Sequence, residues 1–448
     1  MGATTISIPR DPKMTPEDAP ASKTTEEIAE ATEHLFRHEA GRLIATLTRI
    51  FGVQHLNLAE DVVQEALVKA LQTWPYYGVP KNPSAWLTQV SKNLALDVVR
   101  RDKLFRDKEP AVITYLETHS GEAAAPDAVG FDEEIRDDRL RLLFVCCHPE
   151  IPQDSQVALA LKTLCGFSTE EIATAFLTTD QTIAKRLTRA KQRLRDAGVA
   201  FEIPVGEELS GRLSSVLQTV YLLFNEGYKA SYGEKLIREE LCGEALRLTS
   251  LLSSHPAGNR PVTHALLALM LLNAARLDSR VDSAGHILRL EEQDRTKWNQ
   301  SMISQGMRHL ALSASGDELS EYHLQAGVAA CHCTASDYAS TDWPQILALY
   351  DRLVALDRSP VIALNRAVAV ANVHGAAAGM AAVEAIPDRE RLDSYYLLHA
   401  VLGEFEARLQ HSSEAAAHFQ NALRLAGTDS ELAFLKRRIT ECRGAGAT

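Results

Sequence analysis

Aromatic side chains are scarce in this sequence, 6% of 448 residues, while Ala and Leu abound. That balance disfavours strands and favours helices. No apolar run reaches the roughly 18 residues that a membrane-spanning helix needs, so no membrane partner is expected. The N-terminus has no basic flank followed by an apolar core, which predicts a cytoplasmic chain without a secretory signal. Cysteines are few and odd in number, at 146, 147, 165, 242, 331, 333 and 442; most stand in apolar helical surroundings, which fits reduced thiols. A Gly-rich phosphate loop, a nucleophile elbow and a zinc-protease helix are all missing, so no enzyme is expected. Cys146-Cys147-His148 and Cys331-His332-Cys333 lack the spaced second ligand pair of a zinc site, and neighbouring side chains on a helix point in different directions; neither a metal nor a cofactor is expected. Positive charge is in deficit too. A net charge of -12 argues against binding nucleic acid through bulk charge.

The charge is uneven, however. Residues 117–138 hold eight acids and one Arg, whereas residues 179–195 hold six bases and one acid. A local basic stripe on an acidic chain is compatible with DNA binding when a larger partner supplies most of the affinity.

A chain of this length exceeds one ordinary core, and about two to four domains are expected. Residues 1–24, rich in Pro, Thr, Ala and charge, read as a disordered tail. Helical periodicity runs from Glu26 to Phe51, a second helix from about Leu58 to Trp74-Pro75, and a third, capped by Ser84, to Arg101. Together they make a first domain over 25–106. Residues 107–136 read as an acidic linker, and 137–200 as a second domain of four short helices. Pro204 and Gly206 mark the next boundary. Helices then fill an extension over 205–335 and a last domain over 336–448, where Leu402-Gly403, Ala415, Phe419 and Ala422 match the small and large packing positions of a tetratricopeptide unit. Segments 343–357 and 360–386 are expected to stack on it. The fold class is all-α: two small helical domains, the second a helix-turn-helix, a flexible linker, then a repeat-like helical extension.

The helix-turn-helix lies at Ser168–Arg195. Ser168 and Glu171 form a capping box. Ile183, Leu187, Ala190 and Leu194 give the second helix an inner face, and Lys185, Arg186, Arg189, Lys191, Arg193 and Arg195 fill the rest. One face packs and the other is basic, which suits a helix laid in a major groove. A solvated basic helix in a bundle has the same charge pattern. Further upstream, Val62, Val63, Ala66, Leu67 and Ala70 face inward while Asp61, Gln64 and Glu65 cluster beside them. The run Pro83–Arg101 carries Trp86-Leu87, Asn93, Asp97 and the pair Arg100-Arg101 after an aromatic loop, Tyr76–Asn82.

In the order and type of these residues the chain resembles the extracytoplasmic-function (ECF) sigma factors of the sigma-70 family. The run Asp138–Pro149 resembles one subgroup, which carries a long C-terminal extension; Val220–Tyr228, Gln293–Trp298 and Ser359–Val370 resemble that extension. The resemblance implies a transcription-initiation factor that binds core RNA polymerase and promoter DNA. Asp61, Gln64 and Glu65 would meet the clamp helices of the largest subunit, whose basic surface suits acidic groups, and region 4 would meet the flap. Tyr77, Trp86, Lys92, Asn93, Arg100 and Arg101 would read the −10 element as it melts; Trp86 serves either that pocket or the core. Thr182, Lys185, Arg186, Thr188, Arg189 and Arg193 would meet the −35 element. Gln181 stands where most of the family has Gly. The acidic linker would lie in the positively charged RNA channel or act as a plain tether. The extension would restrain the sigma domains, help to engage polymerase, or receive a protein regulator. Two other readings are weighed beside this one: an operator-binding regulator that does not join polymerase, and a helical-repeat adaptor. Neither accounts for both N-terminal blocks and the basic helix together.

Overall fold

The computed structural model describes residues 39–101, 129–176, 178–204, 206–229, 237–282 and 285–445. Among these residues the secondary structure is helical, with one isolated antiparallel bridge between Val281 and Ile287. The expected tail over 1–24 and most of the expected linker lie outside the described residues.

Helix α1 covers 39–51, followed by a 3-10 turn at Val53–His55, then α2 at Leu56–Tyr77 and α3 at Pro83–Arg101. In α2, Leu56, Ala59, Val62, Val63, Ala66, Ala70 and Trp74 recur at helical spacing and are buried. This helix is longer than its sequence suggests. Pro75 sits in the last turn, and the stop is Gly78, whose φ of 80° few side chains adopt and whose N–H donates to the Trp74 carbonyl at 2.9 Å. The start of α3 is also two residues earlier than expected. Asn82, not Ser84, caps it, its Oδ1 accepting from the Ala85 N–H at 3.0 Å, while Pro83 takes the first helical position. Ser84 instead accepts from Arg42 at 2.9 Å, and the same guanidinium donates to Thr88 at 3.0 Å, tying α1 to α3.

The next body holds α4 (Val129–Cys146), α5 (Gln153–Leu164), α6 (Thr169–Ala175) and α7 (Asp180–Asp196), the four helices expected there. Helix α4 begins at Val129, so residues 129–136, read above as linker, are helical. The extension continues with α8 (Glu207–Tyr228), α9 (Glu239–Ser254), α10 (Pro261–Ala274), α11 (Gln300–Ser313) and α12 (Glu321–Thr334). Helix α10 is apolar all round and is buried along nearly its whole length, with α9, α11 and α12 packed against it.

The last body is a stack of antiparallel neighbours: α13 (Trp343–Leu356), α14 (Pro360–His374), α15 (Ala376–Glu384), α16 (Tyr396–Arg408), α17 (Ser412–Leu425) and α18 (Asp429–Ala445). Gly403, Ala415, Phe419 and Ala422 are buried between α16 and α17, where a side chain on Gly403 would meet the Phe419 ring at 2.8 Å, while Leu402 is buried against α14 and α15. That close approach is why a small residue stands there.

The cores differ from the sequence division. One continuous apolar cluster runs from Ala40 to Ala330 and joins α1–α3, α4–α7 and α8–α12, whereas 364–405 and 400–442 hold separate, smaller clusters. Ion pairs link the large body to the stack: Lys229 to Glu431 at 3.4 Å, Arg289 to Glu404 at 3.8 Å and Glu292 to Arg437 at 3.6 Å.

Candidate nucleic-acid interface

The helix-turn-helix is built as its residues dictate. Ser168 and Glu171 close the capping box reciprocally, the Ser168 N–H donating to the carboxylate at 2.7 Å and the Glu171 N–H to the hydroxyl at 3.1 Å. Helix α7 is capped by Thr179, whose hydroxyl accepts from the Thr182 N–H at 3.3 Å; the sequence pattern alone does not reveal that cap. The buried side chains of α7 are Ile183, Leu187, Ala190 and Leu194, the inner face expected. Lys185, Thr188, Arg189 and Arg193 are exposed, and Thr182 and Arg186 are half-buried. The Thr188 hydroxyl turns back to the Ala184 carbonyl at 2.8 Å. Arg186 lies over the Phe176 ring at 5.9 Å and 3.9 Å from Asp154, and Arg193 donates to the Glu150 carbonyl at 3.0 Å. Lys191 does not belong to the free face: it pairs with Glu60 of α2.

On α2, Asp61, Gln64 and Glu65 are all exposed, with Glu65 3.4 Å from Lys69. At the end of the same helix Tyr76 and Tyr77 stand out, 84% and 79% exposed. Aromatics this open take no part in the core. Trp86 packs edge-on against Trp74 with ring centroids 5.5 Å apart, half-buried, so it belongs in part to the core. Asn93 is exposed and accepts from Gln89 at 3.2 Å, and Lys92 is half-buried one residue before it. Arg100 and Arg101 complete the last turn of α3; their side chains lie outside the described residues. Three patches of different chemistry are thus held on one framework: acidic on α2, aromatic and amide at the α2–α3 corner, basic on α7.

The cysteine runs make separate contacts. The Cys146 thiol lies 3.3 Å from the Thr163 hydroxyl and the Cys147 thiol 3.7 Å from that of Thr219, on another helix. Among the described residues no group of three or more His, Cys, Asp or Glu side chains is placed to hold a metal ion. Nor, among those residues, is any helix long and apolar enough to cross a membrane.

Comparison with known families decides the reading. Residues 35–105 match the model for "Sigma-70 region 2" and residues 141–194 that for "Sigma-70, region 4". The chain belongs to the sigma-70 family, as an ECF sigma factor with a long C-terminal extension. Sigma factors of this family are non-enzymatic initiation factors that bind core RNA polymerase and promoter DNA. Residues 212–314 match a further model, "Family of unknown function (DUF6596)". An uncharacterized protein of Rhizobium meliloti (strain 1021) is 38% identical over 407 residues, 90% of this chain and 94% of that protein. The ECF RNA polymerase sigma factor SigE of Mycolicibacterium smegmatis is 28% identical over 37% of this chain and 60% of its own length. EcfG of Rhodopseudomonas palustris, also an ECF RNA polymerase sigma factor, is 29% identical over 30% of this chain and 68% of its own. No solved structure matches the chain.

Proposed function

We propose that this sigma factor uses the acidic face of α2 on the polymerase clamp helices, the α2–α3 corner on the −10 element and the outer face of α7 on the −35 element. The observation that carries the reading is that the three patches are open at once, and each has the chemistry its partner needs. Asp61, Gln64 and Glu65 offer carboxylates and an amide to a basic partner surface. Tyr77 offers a stacking surface to an unpaired base, Trp86 backs it, and Asn93 offers a base-edge hydrogen bond. Lys92, Arg100 and Arg101 suit the phosphates beside them. Lys185, Arg186 and Arg189, with Thr182, Thr188 and Arg193, make a positively charged helix surface of groove width. Region 4 also carries the contact to the flap.

The extension acts on region 4 as a regulatory brace and offers its helical stack to a protein regulator. Helices α8 and α9 pack directly on α4 and α5, so whatever moves the extension is felt by the helix-turn-helix.

The deciding experiment is transcription in vitro with purified bacterial core polymerase and DNA from upstream of the chain's own gene. Specific initiation by the wild type, lost on charge reversal at Arg186 and Arg189, supports the assignment. Unchanged initiation by that variant removes α7 from the promoter. Failure of every form to join core polymerase returns the operator-binding reading.

A further inference from the structure

Helix α6 opens the helix-turn-helix with only seven residues, Thr169–Ala175. A helix that short has little stability of its own, so its caps and neighbours set its position. On its inner side Ile172 is fully buried, and Phe176, just past its end, is half-buried beneath the Arg186 guanidinium of α7. At its start one oxygen of Glu171 closes the capping box with the Ser168 N–H. The other oxygen of that carboxylate faces the extension. It lies 3.8 Å from Nη1 of Arg238, and the same nitrogen lies 4.0 Å from the carboxylate of Glu226 on α8.

The extension is built to put a cation at this spot. A Cβ on Gly227, in the last turn of α8, would lie 2.7 Å from the Cys242 nitrogen and 2.9 Å from the Arg238 carbonyl oxygen. The end of α8 therefore meets the start of α9 backbone to backbone, and the Arg238 N–H donates to the Gly227 carbonyl at 2.8 Å. Glycine weakens a helix; here it permits the approach that sets Arg238 between two carboxylates. Glu226 is only 8% exposed, and a carboxylate so buried is unfavourable without a cation beside it.

An apolar core already joins α8 and α9 to α4 and α5. The Arg238 contact adds a grip on α6, which packs directly on α7. We infer that Arg238 is a positioning residue for reading the −35 element: through Glu171 it sets α6, and through Phe176 it sets Arg186. The inference rests on the assignment of α7 to that element. It carries the influence of the extension from the scaffold helices of region 4 to the helix pair that faces the promoter.

The test uses the full chain joined to core polymerase, on two fragments from upstream of its own gene, one intact and one with the −35 element replaced. Titration gives the affinity of the holoenzyme for each. Glu171→Gln keeps the capping box, which Gln closes as well as Glu, but removes the charge that faces Arg238. Arg238→Gln removes the cation. Each should keep the wild-type helical circular dichroism, bind the intact fragment about 3-fold to 5-fold more weakly, as the loss of a partly exposed ion pair implies, and bind the replaced fragment as the wild type does. The double variant should be no weaker than either single one, because both remove the same interaction, and Arg238→Lys should restore binding. Wild-type affinity of both single variants for the intact fragment overturns the inference. An equal loss on the two fragments also overturns it, since the pair would then support the fold alone. Should Arg238→Gln not fold, Glu171→Gln decides by the same comparison. Charge reversal at Arg186 and Arg189 tells the two readings apart. If it weakens binding to the intact fragment and the glutamine variants do not, the inference falls and the −35 assignment stands; if it too has no effect, both fall.

Discussion

The Cys147 thiol, one residue past the end of α4, meets the Thr219 hydroxyl of α8 in a buried contact of 3.7 Å. This is the seam between region 4 and the extension, and it is apolar around that pair. Val216, Leu217 and Val220 of α8 and Leu241, Ala245 and Leu248 of α9 are each no more than 2% exposed and share a core with Leu142, Leu143 and Leu159.

A chain ending near residue 203 therefore leaves the α4–α5 face uncovered. Exposing one fully buried Val or Leu side chain to water costs about 1.5–3 kcal/mol, against a total domain stability of about 5–15 kcal/mol. The shortened chain should melt at lower temperature with poor cooperativity and bind a hydrophobic dye. A melt as sharp as that of the full chain would show that α8 and α9 are dispensable for the fold of region 4.

Charge on the outer face of α7 should act on DNA without acting on stability. Arg189 is exposed and lies opposite the buried Ile183–Leu194 face. Arg189→Glu should weaken promoter binding by the holoenzyme about 10-fold and lower the slope of log K against log salt by about 1. Its melting temperature should match the wild type. A lowered melting temperature with an unchanged salt slope would make Arg189 a packing residue.

Much of this was legible in the residues themselves. Spacing identified the inner face of α7, the capping box at Ser168 and the open acidic face of α2, because amphipathic periodicity reports which side of a helix is covered. It does not report what covers it. Lys191 belonged to the basic group by composition, yet it faces Glu60, 131 positions away. Gly41 looks like any helical glycine until α5 is laid across it. The helix ends were misplaced for a related reason: Pro75 looked like a stop, but α2 gives up one i→i−4 bond there and runs on to Tyr77, and Gly78 ends it with a φ of 80°.

The buried thiols predict behaviour in alkali. Burial raises Cys147, to about 12, and Cys333, to about 11, and raises Cys165 as well. Their folded values exceed those of the unfolded chain, near 9, so the unfolded state loses protons first. Stability is full below about pH 8.5 and falls as pH rises towards the folded values. A thiol reagent at pH 8 should leave Cys146, Cys147 and Cys165 unmodified in the native chain and modify them in denaturant. Fast native labelling of Cys147 would mean that the α4–α8 seam opens freely.

A histidine pair predicts a loss of stability in acid. His264 of α10 and His309 of α11 stack with centroids 5.1 Å apart, and their Nδ1 atoms lie 3.0 Å apart, one donating to the other. His264 also engages Asn259 at 3.0 Å, and Arg308 lies beside His309. Burial first, then the neighbouring His264 and Arg308, lower His309 to about 4; burial and Arg308 lower His264. Two Nδ1 atoms this close cannot both carry protons without repulsion. The unfolded chain takes up protons near pH 6.5 and the folded chain does not, so this contribution is complete above about 6.5 and is lost as pH falls towards 4. Urea unfolding at pH 7.5 and pH 5 should give a marked loss of stability on acidification. His309→Phe keeps the stacked ring but removes the titrating nitrogen, so its loss between the same two pH values should be smaller. Equal losses in both chains would place the acid-sensitive group elsewhere, with His332, which burial and then Arg276 and Arg295 lower to about 3, as the next to substitute.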